Sequence, residues 1–385
     1  MNEFDKILFV GHDANRAGAQ IVLLNWLKYR NSVGLTNYLI LQDGGILLPD
    51  FQKVAKVWVW SQPLEKKFLE KIPFLKREEM GKRAPSRTEV IEFTRIWRQI
   101  QPQLIVANTV ASLSLLENIN IPRVKRVLYV HELAFSLDLY ASEHNFNYLK
   151  EKVDHISVVS LEVKKQLINK LSIPAEKFSL LPPFIKFSKE ITNRVDRRLE
   201  LGIPKDAKVV MGCGLAEWRK GTDIFIRVAK KVIEAEKDVH FIWVGIGNNI
   251  HSEEIKLEVS RWNSNSRMHL VPVSSEMASY YEIADVFFLS SREDPYPLVM
   301  MEAAYFQLPI VGFKGSGGVE DFNEGIDNSL AVNFSETEAK NLLINALNLV
   351  PEERIRWVQR LKQKVENYHE LQFMKDWAQI INKIK

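Results

Sequence analysis

A chain of 385 residues exceeds what one hydrophobic core usually organises, so two domains of ordinary size are expected. Apolar residues at 46% and charged residues at 26% are ordinary globular usage, which excludes a disordered chain and a fibrous repeat. The net charge of +4, with acids and bases alternating through most of the chain, is too small to imply nucleic acid, and no nucleic-acid partner is expected.

The opening MNEFDKILFVGHD carries acids and an immediate strand, not a signal peptide, and the single cysteine, Cys213, cannot form an intrachain disulfide. Both point to a cytoplasmic compartment. No apolar run approaches the roughly 20 residues needed to span a bilayer. Short β-branched runs then alternate with longer amphipathic stretches, the pattern of parallel sheets with helices on both faces, so the fold class expected is α/β throughout. In the first half the strands are expected at Lys6 to Val10, Asn37 to Leu41, Val57 to Trp60, Gln103 to Ala107, Arg126 to Val130 and His155 to Val159. In the second half they are expected at Lys208 to Met211, His240 to Val244, Met268 to Leu270, Val286 to Leu289 and Pro309 to Val311.

Between the third and fourth strands, residues 64–87 concentrate Lys66, Lys67, Lys71, Lys76, Arg77, Lys82, Arg83 and Arg87 around Phe68, Leu69, Ile72, Phe74 and Leu75. That composition suits a solvated basic helical face, or a surface that rests on the anionic inner face of a membrane. Prolines 182, 183 and 204 and dense charge mark a boundary near 186–206. The domains expected are 1–190, joined by a C-terminal helix at 370–385, and 205–369. That helix sets Phe373, Trp377, Ile380, Ile381 and Ile384 at helical spacing and needs an apolar partner.

Two motifs carry chemistry. In VVMGCGLAEWRKGTDIFIRVAKKV a strand ends in Gly212-Cys213-Gly214, and a loop delivers Arg219 and Lys220 to the start of a helix. Strand, glycine-bearing loop and helix let backbone approach an anion. Arg219 can grip two phosphate oxygens with its planar fork while Lys220 acts as a point charge, which suits a diphosphate. The bland alternative, ordinary surface cations, sits poorly at a helix N-terminus, where cations oppose the macrodipole.

In FFLSSREDPYPLVMMEAAYFQLPIVGF a buried strand ends at Ser290-Ser291, a loop holds Asp294, and Pro297 opens a helix that runs through Glu302. Proline suits the first helical turn, leaving the N–H groups of Leu298, Val299 and Met300 for phosphate oxygens. Asp294 and Glu302 can then address different ends of one ligand. As alternative, an acidic loop before a helix is ordinary dipole chemistry and Met300, Met301 and Phe306 are core.

With both motifs in place, the sequence resembles the retaining nucleotide-sugar glycosyltransferases of family 4, of bacterial polysaccharide and lipopolysaccharide type, over nearly the whole chain. That family has the GT-B fold of two Rossmann-like domains facing a central cleft, with the last helix returning to the first domain. Its two acids separated by seven residues match Asp294 and Glu302, with Asp in place of the first Glu. The resemblance implies that Asp294 lies against the donor sugar as a catalytic residue, that Glu302 binds ribose, and that Arg219 and Lys220 bind the diphosphate. Many members place the arginine five residues before the lysine, where this chain has Leu215.

The same resemblance matches FVGHDANRAGAQIVLLNWL to the family's opening strand, loop and helix, with Gly18 near the donor and Asn15 and Arg16 toward the acceptor. His131, directly after a strand, matches a polar position against the donor sugar and counts as a second catalytic candidate, with Glu132 to orient its ring. GFKGSGGVEDF resembles a glycine-rich loop over the sugar, with Gly315, Gly317 and Gly318 supplying backbone freedom and Glu320 nearby. The reaction implied moves a sugar from a nucleoside-diphosphate donor to a saccharide or lipid-linked acceptor with retained configuration. The sequence has no Asp-X-Asp motif and no close pair of zinc ligands, so no metal and no other cofactor are expected. A nucleotide-sugar epimerase and a catalytically inactive scaffold on the same fold remain the alternatives.

Overall fold

The computed structural model describes residues 6–60, 87–117, 123–185, 195–263 and 265–384. Residues 64–86 of the basic segment lie outside them. The chain divides into two compact units, Met1–Ile185 with Glu370–Lys385, and Lys186–His369.

The first unit holds a parallel sheet of β1 (Ile7–Gly11), β2 (Tyr38–Leu41), β3 (Lys56–Val59), β4 (Leu104–Asn108), β5 (Lys125–Val130), β6 (His155–Val158) and β7 (Phe178–Leu180). Their order is β3-β2-β1-β4-β5-β6-β7. β1 and β4 are buried at every residue, as expected of strands covered by helices on both faces. The core centres on Trp26 of the Gly18–Ser32 helix, which meets Phe9, Phe373 and Trp377 edge-on at centroid distances of 5.1, 5.1 and 4.7 Å. Edge-to-face packing of this kind adds to the area that the rings bury. Phe373, Trp377, Ile380, Ile381 and Ile384 of the C-terminal helix Glu370–Ile384 are all buried, so the apolar stripe that lacked a partner in the sequence finds it in the first unit.

The second unit holds β8 (Lys208–Cys213), β9 (Val239–Ile246), β10 (Met268–Pro272), β11 (Val286–Phe288), β12 (Ile310–Phe313) and β13 (Leu330–Ala331), all parallel, in the order β10-β9-β8-β11-β12-β13. Phe225 of the Thr222–Ala235 helix packs on Phe241, Trp243 and Phe288 at 5.7, 5.0 and 5.7 Å. At its outer edge His240 and His269 share a hydrogen bond of 3.0 Å between Nδ1 and Nε2. Each strand expected from the sequence is present. β7 and β13 were not expected; they are three and two residues long, too short for a periodic signal, and exist because β6 and β12 offer them an edge. Among the described residues no helix is long and apolar enough to cross a membrane.

Strand order sets where ligands can enter. In a doubly wound sheet the crevice opens at the carboxyl ends of the two strands between which the chain reverses direction. Those are β1 and β4 in the first unit and β8 and β11 in the second.

Candidate functional site

Both motifs of the second unit converge on its switch point. β8 ends at Cys213, and a single 3₁₀ turn, Trp218–Lys220, carries the two cations. β11 ends just before Ser290 and Ser291, and the next loop brings Asp294 under Lys220. The Lys220 ammonium donates to Asp294 Oδ2 at 2.5 Å, and Ser291 Oγ donates to the same oxygen at 3.3 Å. Asp294 is 5% exposed, so this is a largely desolvated ion pair.

Asp294 is also tied through its backbone. Its N–H donates to Ser316 O at 2.7 Å and its carbonyl accepts from Gly318 at 3.1 Å, so the acidic loop and the glycine-rich loop form one structure. Gly315 and Gly317 use the freedom foreseen for them, with φ of +83° and +128°. Gly318 does not; its helical backbone has an ordinary φ of −61°, and glycine is required there for space, because a Cβ would lie 2.7 Å from the Tyr296 ring and 2.8 Å from Pro295 O. Glu320 closes the loop by accepting the Gly315 N–H.

The helix after Asp294 runs Leu298–Tyr305, with Pro297 as its N-cap instead of its first residue, since Pro297 has an extended ψ of 115°. This corrects one expectation. The Met300 N–H is not free for phosphate, because it donates to Pro297 O at 3.2 Å. The N–H groups of Leu298 and Val299 have no hydrogen-bond partner among the described residues, which leaves two donors at the positive end of the helix. Glu302 lies further along that helix and accepts from Tyr281 Oη at 2.9 Å. Tyr281 is buried, touches Val299 O at 3.3 Å and the Cys213 thiol at 3.6 Å, and was not foreseen. Burial pushes the Cys213 thiol up to about 12, so it serves as a neutral contact and not as a nucleophile.

Arg219 is placed differently from Lys220. Its guanidinium donates to Glu217 Oε1 at 3.0 Å and to Glu293 O at 3.2 Å, so part of its donor set is spent inside the loop. Arg292 grips both oxygens of Asp223 at 2.7 and 2.6 Å and lies 5.1 Å over the half-exposed Trp218 ring. Burial would raise the Asp223 carboxyl, but hydrogen bonds from Arg292 and Arg227 outweigh it and hold the group at about 2.

The switch point of the first unit gathers a polar cluster from three strand ends. His131, after β5, shares a 3.0 Å hydrogen bond between its Nε2 and Asn108 Oδ1, and its ring lies 4.2 Å from that of Tyr129. Thr109 Oγ1 meets His12 Nδ1 at 2.9 Å, and Gln20 Nε2 reaches His12 Nε2 at 3.0 Å and Asp13 Oδ1 at 2.5 Å. Thr109 holds a φ of +84°, a strained state for a β-branched residue that the surrounding bonds must enforce. Asn15 folds back onto Asp13, with its side chain at 2.7 Å, and Asn15, Arg16 and Gly18 are exposed around the start of the Gly18–Ser32 helix.

Glu132 does not orient the His131 ring. Its carboxylate instead accepts the backbone N–H groups of His131 and Val110, each at 2.9 Å, which lie just past the ends of β5 and β4. Asn108, Thr109, His12 and Gln20 were also not foreseen, although polar residues directly after β1 and β4 were a usable signal.

Burial, and secondarily His12, lowers His131 to about 3. Burial also lowers His155 and His269 to about 4, helped by neighbouring lysines and by His240 respectively. These groups are neutral in the fold but take protons when unfolded, so their stabilisation is complete above pH 6.5 and is lost as pH falls toward 4. Burial raises Glu132 to about 7, which works oppositely between its ordinary value of 4.5 and 7. Three histidines outweigh one carboxyl, so Tm should drop by roughly 5 °C or more between pH 7 and pH 4.5. A calorimetric Tm that is flat across that window contradicts these assignments.

Residues 207–349 match the family described as Glycosyl transferases group 1. Among curated proteins, the alpha-galactosylglucosyldiacylglycerol synthase of Streptococcus pneumoniae is 26% identical over 196 residues, which are 46% of this chain and 51% of that protein. The chain thus spans about half the length of the curated relatives it matches. Among solved structures, Anabaena Alr3699/HepE in complex with UDP and glucose matches with a TM-score of 0.75 at 17% identity over 99% of both chains. The sucrose-phosphate synthase of Thermosynechococcus elongatus matches with a TM-score of 0.75 at 18% identity over 98% of both. The second unit therefore carries a glycosyl transferases group 1 domain, and the chain that contains it has the GT-B fold of two Rossmann-like units.

Proposed function

We propose that the chain is a retaining, metal-independent glycosyltransferase. It moves a sugar from a nucleoside-diphosphate donor to a saccharide or lipid-linked acceptor hydroxyl in cell-surface polysaccharide synthesis. The observation that carries this reading is the Lys220–Asp294 pair at the switch point, flanked by the Leu298 and Val299 N–H donors and by Glu302. Lys220 after β8 and the helix N–H groups after β11 supply two kinds of positive charge, and Asp294 and Glu302 supply two carboxylates. A diphosphate fits the cations, and sugar and ribose hydroxyls fit the acids.

Asp294 satisfies Lys220 within the protein. When the donor enters, the ammonium turns to the diphosphate and Asp294 accepts from a sugar hydroxyl. The anomeric C–O bond to the diphosphate breaks as the acceptor oxygen bonds to the same face, and the acceptor proton passes to the departing phosphate oxygen. Lys220 and the two N–H groups stabilise the charge that develops there, which is catalysis by preorganised electrostatics. In the first unit the roles assigned are donor contact for neutral His131 and for Gly18, and acceptor contact for Asn15 and Arg16. The glycolipid synthase of S. pneumoniae favours a lipid-linked acceptor, and the UDP and glucose held by HepE make UDP-glucose the first donor to try.

The test incubates the full chain with nucleotide sugars and saccharide or glycolipid acceptors. It should release nucleoside diphosphate only when acceptor is present, should give an α-linked product from an α-linked donor by NMR, and should be indifferent to EDTA. An inverted product sinks retention, and loss of turnover in EDTA sinks metal independence. Donor isomerised without acceptor would make the protein an epimerase, and donor bound without turnover would make it a scaffold.

Tyr281 gives a finer test of the ribose role. Tyr281→Phe removes the donor that aims Glu302, a hydrogen bond to a charged group worth about 1.5 kcal/mol, so KM for the donor should rise about tenfold with kcat little changed. An unchanged KM would mean that Glu302 does not bind the donor.

A further inference from the structure

At the opposite end of the first unit's sheet, where β5, β6 and β7 begin, lies a cavity of about 490 Å³ that none of this chemistry uses. Lys125 at the start of β5, Lys177 just before β7 and Lys383 in the last turn of the C-terminal helix line it, together with His155, Asp154 and Glu176. Lys125 lies 3.8 Å from Asp154. Lys177 donates to Lys150 O at 3.0 Å and Lys383 to Ser179 Oγ at 3.2 Å, and Asp154 also attracts Lys177. His155 is 4% exposed, and its Nε2 has no hydrogen-bond partner among the described residues.

Three ammonium groups from segments far apart in the chain thus converge on one concavity, beside a buried imidazole with an unused nitrogen. Three lysines against two carboxylates leave a net positive charge there, and partial enclosure strengthens its hold on an added anion. The carboxylates of Asp154 and Glu176 can accept from hydroxyl groups of a ligand. We propose that this cavity binds a phosphate monoester, whose anionic oxygens are held by Lys125, Lys177 and Lys383 beside His155. The volume is that of a small-molecule site. A phosphate there bridges the last turn of the C-terminal helix to the sheet and so stabilises the first unit by mass action.

His155 is the reporter. Its proton affinity is lowered by burial first and then by Lys383 and Lys177, so neutralising those cations must raise it. The test uses the full chain carrying carbon-13-labelled histidine, with His155 assigned by its loss in His155→Gln. Glycerol 3-phosphate, compared with chloride at equal ionic strength, should tighten proton binding at His155 by about tenfold, or about one pH unit. The response should persist in Lys220→Ala, whose cation belongs to the other unit, and disappear in Lys177→Gln/Lys383→Gln. Lys177→Arg/Lys383→Arg keeps the charge and should keep the response, which separates loss of binding from damage to the fold.

Co-sedimentation with phosphatidylcholine vesicles containing phosphatidic acid divides the two sources of the ester. Sedimentation that the double Gln variant loses assigns a lipid headgroup, and a glycerol 3-phosphate response without sedimentation assigns a soluble ester. A His155 titration unmoved by glycerol 3-phosphate together with no vesicle binding overturns the proposal. So does a response that survives in the double Gln variant.

Discussion

Replacing Lys220 with alanine is expected to lower kcat/KM by about 100- to 1,000-fold, the scale of removing one preorganised donor from a developing oxyanion. The variant should also be less stable, because it leaves Asp294 as a buried carboxylate without its cation. Breaking such a pair from one side costs about 3–5 kcal/mol. The two effects separate in Lys220→Ala/Asp294→Asn. Removing the orphaned charge should recover most of the lost Tm, while activity stays low because neither the diphosphate nor the sugar has its partner. Turnover within about tenfold of the parent in the single variant would remove Lys220 from the mechanism. Arg219→Ala should cost less than Lys220→Ala, since its guanidinium is already engaged by Glu217 and Glu293 O.

The second large effect is expected at Gly221, where the chain passes from the Lys220 turn into the Thr222–Ala235 helix. Its φ is +64°, and a Cβ there would lie 2.0 Å from the Ser290 carbonyl oxygen and 2.9 Å from the Ser290 carbonyl carbon. Neither atom can swing aside as a side-chain tip would, so the loop after β8 and the loop after β11 must part. Gly221→Ala should therefore cost about 4 kcal/mol or more, a fall of roughly 10 °C in Tm. Gly202→Ala is the control. It has the same sign and size of φ, +65°, with nothing within 4 Å of a Cβ, so it carries the dihedral penalty alone, about 1 kcal/mol. Equal losses in Tm would mean that the Ser290 contact does not constrain the site. A larger loss at Gly221, with donor binding impaired in parallel, ties the position of Lys220 to close backbone approach.

Each half of the second unit's candidate site was legible because its own residues lie close together in the chain. Lys220 follows β8 by a few residues, and Asp294 and Glu302 flank one helix start after β11, but the two halves stand 74 residues apart and meet only because β8 pairs with β11. Tyr281 was not legible. It aims Glu302 from 21 residues upstream, and a buried tyrosine reads as core until its hydroxyl is seen to touch a carboxylate. The polar cluster of the first unit was less legible still. His12 and Thr109 stand 97 residues apart and meet only because β4 pairs directly with β1.

The alternation of strand and helix and the residue types offered to a ligand were readable from the sequence. Those follow from hydrophobic periodicity, from proline and glycine, and from charge near strand ends, all of which act over a few residues. Tertiary structure alone decided which strand ends became neighbours. It decided that Met300 and Arg219 spend donors inside the protein, and that Glu132 serves backbone instead of a ring. It also decided that Lys125, Lys177 and Lys383 share a cavity. The physical reason is that sheet order and desolvation are properties of the packed chain, and both act between residues that no local spacing relates.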